Sequence, residues 1–177
     1  MAYYNISNTP RPRGVITTMF NSITPAAGAT VTVDSSSQII VAYKTANTSA
    51  LSYTIQGSLD NVFWTDIGSA ITTVVGTANT APWPYQRVNV GTVTNTAKTA
   101  SSVTQAAGIA TFNSNAHGFL AGEYVTIAGA NEAGYNGSVL ILTKDTNYFT
   151  YAVAAGTATP ATGTVTANGN LRVYLAE

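Results

Sequence analysis

One histidine, seven carboxylates and no cysteine set the chemistry open to this 177-residue chain. His117 is the sole candidate base. It stands between Ala116 and Gly118, and no Gly-x-Ser-x-Gly elbow accompanies it to supply a nucleophile. The carboxylates are Asp34, Asp60, Asp66, Glu123, Glu132, Asp145 and Glu177. Glycoside hydrolysis needs two of them close together in a cleft. Most instead fall at turn positions, where a short carboxylate bonds its own backbone. There is no calcium-loop spacing, and no phosphate-cradling or dinucleotide-binding glycine pattern. Without cysteine, disulfides and thiolate metal sites are excluded. No catalytic, metal-binding or cofactor-binding residue is expected, and His117 is read as a ring that braces a turn.

The elements that must position these residues read as strands. Leu51, Tyr53 and Ile55 alternate with Ser52, Thr54 and Gln56, which is a strand with one buried face. Gln38–Tyr43 is a continuous apolar run and is read as a central strand. Further strands are expected at 15–20, 30–33, 70–75 and 85–93. Asp60-Asn61 is read as a turn into an aromatic strand carrying Phe63 and Trp64. No window shows helical spacing, and the Thr and Val content opposes helix.

The chain then changes character. Residues 96–107 are small and polar, without alternation. Leu171, Val173 and Leu175 restore alternation at the C-terminal end. Joining Asn95 to Asn170 would make a hairpin of Val88–Val93 and Leu171–Leu175. The expected organisation is all-β: a β-sandwich of residues 15–97 plus 168–177, with a second small β barrel or sandwich, residues 98–167, inserted before the last strand. Exposed loop tips accept such insertions. Two domains in series is the alternative. Within the insert five short strands are read, separated by Gly and Asn punctuation. Trp64, Phe149 and Tyr151 fall at strand spacing, which favours core over a sugar platform. Trp83, between Pro82 and Pro84, is the candidate exposed ligand contact.

Residues 1–14 read as an arm. Pro10 and Pro12 forbid regular ladder pairing. Tyr3, Tyr4, Arg11 and Arg13 are of the types that anchor interfaces, so they are candidate contacts to a capsid or a neighbouring subunit. A frayed terminus is the other reading.

Composition narrows the partners. Charged residues make up 8% of the chain and the net charge is zero, against about 25% charge in an ordinary soluble domain. Nucleic-acid binding needs a basic surplus that is missing here. No apolar run approaches the roughly 18 residues of a membrane span, and no secretory signal is read at the start. A surface of Thr, Ala, Ser, Asn and Gly has weak colloidal protection as a free monomer. It suits a protein packed against neighbours.

The insert resembles a small β module that recurs in tailed-bacteriophage virion and tail proteins. The matching residues are His117-Gly118-Phe119, Gly122, Val125, Ile127, Tyr135-Asn136-Gly137, Phe149-Thr150-Tyr151 and Ala161-Thr162-Gly163. Gly57-Ser58-Leu59-Asp60 before Phe63-Trp64 looks like a turn of phage β-sandwich modules that precedes a buried Trp. The resemblance implies a non-enzymatic virion structural protein. Short length and low charge favour a capsid cement, or decoration, protein on the virion surface. Its partners would then be the major capsid protein and, by analogy with decoration proteins, two further copies in a homotrimer. A receptor- or glycan-binding tail or head-fibre module is the second reading.

Overall fold

Residues rich in Thr, Val, Ile and aromatics form short strands, and in the computed structural model they pair antiparallel throughout. The structure describes residues 16–32, 38–73, 76–79 and 83–176. Seven strands come first: β1 (Ile16–Ser22), β2 (Val31–Thr32), β3 (Gln38–Tyr43), β4 (Thr48–Ser58), β5 (Thr65–Ile71), β6 (Gly76–Asn79) and β7 (Tyr85–Asn95). Eight follow in the insert: β8 (Lys98–Thr99), β9 (Ser102–Ala106), β10 (Ile109–Asn113), β11 (Tyr124–Ala128), β12 (Gly137–Leu140), β13 (Thr143–Lys144), β14 (Tyr148–Ala152) and β15 (Thr166–Gly169). β16 (Leu171–Ala176) closes the chain, and a 3-10 turn, Ala133–Tyr135, lies between β11 and β12.

The first sandwich packs sheet A, ordered β1-β16-β3-β6, on sheet B, ordered β2-β7-β4-β5. Its core takes Met19 and Phe20 from β1, Leu51, Tyr53 and Ile55 from β4, Val88 and Val90 from β7, and Leu171, Val173 and Leu175 from β16. The inward residues of β4 are the alternating set, because successive side chains of a strand point to opposite faces. The second unit packs sheet C, ordered β12-β11-β15-β8, on sheet D, ordered β13-β14-β10-β9. Its core is aromatic: Phe112 stacks on Phe149 at 4.8 Å, and Phe119, Tyr135 and Tyr151 are fully buried beside them. The chain therefore leaves the first sandwich after β7 and re-enters it in β16.

Several expected details change. β7 and β16 do not form a hairpin; β16 pairs with β1 and β3, whereas β7 pairs with β4 and β2. Both edges of β7 are already occupied, and a period of two fits any antiparallel neighbour. Asn168 and Gly169, expected within the first sandwich, are instead the end of β15, paired with β11. The polar stretch 96–107 contains β8 and β9, which are too short and too polar to show alternation. The strand expected to carry Phe63 and Trp64 starts only at Thr65 and contains neither. The strand expected at 70–75 is replaced by the end of β5 and by β6, with residues 74 and 75 outside the described residues.

Candidate functional site

The most exposed large apolar side chains among the described residues sit together on the β4–β5 turn: Leu59 (68%), Val62 (68%) and Phe63 (79%). The backbone beneath them is clamped. Asp60 Oδ1 accepts from Val62 N and Phe63 N, both at 2.9 Å, and from the buried Ser58 Oγ at 3.0 Å. Ser58 Oγ in turn accepts from Asp60 N. Asn61 takes the left-handed conformation, φ 61°, which Asn tolerates better than most residues. The amides of Phe63 and Val62 hold the Asp60 carboxyl below its ordinary value, so it stays ionised and the clamp stays closed. Three apolar side chains are thus held in water by a rigid turn. Burying one such side chain fully is worth about 1.5–3 kcal/mol.

Beside this tip, the outward face of sheet B carries a row of planar side chains. Arg87 lies over the Trp64 ring at 4.1 Å. Its Nε donates to Gln56 Oε1 at 2.8 Å, and Gln56 Nε2 donates to Asp66 Oδ1 at 2.9 Å. The register places Gln56 opposite both Arg87 and Asp66, which is why one row spans three strands. Trp64 is half-buried on this outer face and does not join the core expected of it.

Trp83 sits at the same end but is not a free-standing platform. It is half-buried, and its indole covers the inward side of Gly57, where a Cβ would collide with the ring. Glycine at 57 lets the indole close the end of the core. Tyr3, Tyr4, Arg11 and Arg13 lie outside the described residues.

The opposite end of the first sandwich holds the joint to the insert, and it is polar and partly buried. Asn47 Nδ2 donates to His117 O at 2.8 Å. Asn170, 2% exposed, donates from Nδ2 to Asn21 Oδ1 and Ser138 Oγ and accepts from Thr126 Oγ1, each at 2.8 Å. Arg172 lies over the rings of Tyr124 at 5.1 Å and Tyr174 at 5.3 Å. Gly169 passes so close to Thr45 that a Cβ would collide with its side chain.

His117 is fully buried within the insert. Nδ1 accepts from Phe119 N at 3.0 Å, so Nε2 carries the proton and faces Asp145 O at 2.9 Å and Tyr148 O at 3.0 Å. The ring packs against Phe119 and Phe149. Every polar edge is spent on backbone, which makes the residue a brace. Among the described residues no three of His, Asp and Glu come together. No family model, curated protein or solved structure matches the chain.

The tip was not legible in advance. The sequence places a turn at Asp60-Asn61 and Phe63 in the strand after it, and assigns no exposure to Leu59 or Val62. The signal available was Ser58-x-Asp60, whose side chains favour local backbone bonds over ladder pairing.

Proposed function

We propose that the chain is a non-enzymatic structural subunit of a tailed-bacteriophage particle, a capsid cement protein that binds and stabilises the head lattice. The observation that carries this reading is a body with few charges that holds a clamped apolar tip in water. With 8% charge, such a surface is better matched by neighbours than by solvent. The resemblance of the His117 module to phage virion modules points the same way. The major capsid protein is the partner in this reading, self-association is as a homotrimer, and the virion surface is the location.

The tip alone cannot hold a free complex. Three side chains contribute roughly 3–7 kcal/mol when their exposed parts are buried, against an association cost of about 4–15 kcal/mol. Many copies bound together on one lattice remove that shortfall, because each later contact is effectively intramolecular. A quantitative gel of purified particles tests the reading. Copies in stoichiometry with the capsid lattice, and heads that rupture at lower temperature without the protein, are expected. Only a few copies per particle, with loss of adsorption on deletion, would instead support the receptor- or glycan-binding reading. The observation that favours this second reading is the hydrogen-bonded row of Arg87, Gln56 and Asp66 beside Trp64.

A further inference from the structure

We propose that the β4–β5 turn is the anchor by which the chain seats in an apolar pocket of a protein lattice, and that the His117 module points away from that lattice. The proposal rests on the virion reading and adds a docking end and a direction to it. The direction follows from strand connectivity. β4 begins at Thr48, paired with Asn95 beside the joint, and ends at Ser58, paired with Tyr85 beside the tip. Its eleven residues put roughly 30 Å between the two ends.

Sheet A runs the same way. Asn21 meets Asn170 at the joint, and Ser22 pairs with Leu171. Met19 O accepts from Ala29 N while Val88 O accepts from Gly28 N, so Met19 and Val88 stand level. Ile16 therefore falls toward the Tyr85 end. The tip and the start of the described chain share one end; the insert occupies the other.

The chemistry selects a protein pocket. A bilayer would have to accept the ionised Asp60 among the apolar side chains, and the tip carries no Lys or Arg for anionic headgroups. A sugar would seat on the polar row of Gln56, Asp66 and Arg87 beside Trp64, not on the apolar side chains of the tip. A second free copy would need about 800 Å² of contact per partner, more than three side chains provide. An apolar socket with a polar rim matches both the tip and the Trp64–Arg87 pair, the residue types that dominate interface hot spots.

The test loads purified full-length protein onto heads purified from phage lacking its gene, and counts bound copies across a concentration series. Phe63→Ser is compared with Leu120→Ser, an exposed apolar change in the insert. Phe63 is exposed, so both variants should melt as wild type does; that is checked first. Wild type and Leu120→Ser should load alike, and Phe63→Ser should need at least tenfold more protein. Equal loading of Phe63→Ser overturns the anchor while leaving the virion reading in place. Density that puts the His117 module against the head overturns the orientation. Absence of wild type from native particles, with no loading in vitro, overturns the virion reading and the anchor with it.

Discussion

Replacing His117 by alanine should strongly destabilise the insert while sparing the first sandwich. The imidazole is fully buried and spends both nitrogens on backbone. Its loss strips the Phe119 amide and the Asp145 carbonyl of the partner each has here. Tyr148 O is spared because it also accepts from Asp145 N at 2.8 Å. Each stripped group costs about 1–3 kcal/mol, and the space left against Phe119 and Phe149 adds a cavity cost. A total of about 3–6 kcal/mol is expected, against the roughly 4–10 kcal/mol that holds a module of about 70 residues. Both tryptophans, Trp64 and Trp83, belong to the first sandwich. Tryptophan fluorescence therefore reports that unit alone, and far-ultraviolet circular dichroism reports both. In urea, His117→Ala should show an early dichroism transition with the fluorescence transition nearly unmoved. His117→Phe restores volume but strips the same two backbone groups, so it should recover only part of the loss. A destabilisation of His117→Ala below about 1 kcal/mol, or full recovery by phenylalanine, would refute the bracing role.

Three further outcomes are expected. Tyr53, 1% exposed in the first core, has a hydroxyl with no hydrogen-bond partner among the described residues; Tyr53→Phe should raise stability by about 1 kcal/mol in urea melts, since a buried unpaired hydroxyl costs more than it returns. Asn170→Ala removes hydrogen bonds to Asn21, Ser138 and Thr126; it should cost about 1–3 kcal/mol and raise amide exchange along β15 and at the start of β16, and unchanged exchange there would count against a fixed joint. Acid should weaken the fold through Asp60 and Glu132, whose carboxyls are held below their ordinary values by hydrogen bonds from the Phe63 and Val62 amides and from Thr162. A depressed folded pKa gives stability that is present above the ordinary values of 3.8 and 4.5 and is lost as pH falls below them. Glu123 acts in the opposite sense, because burial raises its pKa and penalises the charged form. Melting temperatures of wild type and Glu132→Gln should therefore converge as pH falls below 4.5, and Glu123→Gln should gain at neutral pH; a gap at Glu132 that persists in acid would contradict this.

What the sequence determined by itself is the strand content and much of each core. The alternation of Leu51, Tyr53 and Ile55 requires a strand with one buried face, and the same holds for Phe149 and Tyr151 on β14. The return of alternation at Leu171 marks a strand far from the chain's earlier sandwich, because apolar residues at period two must find a core. Tertiary structure alone decided the partners. A period of two says which face is buried but not which neighbour is paired, so β16 was readable as a strand and not as the partner of β1 and β3. β8 and β9 escaped notice because they are short and mostly polar, with Val103 the one large apolar side chain they send into the core. The candidate site lies on the same side of that divide. Asp60 was legible as a turn residue, since its carboxylate bonds local amides. That Leu59, Val62 and Phe63 face water, at the end remote from the insert, depends on where β4 stops and β5 begins. Hydrophobicity alone would have placed all three inside.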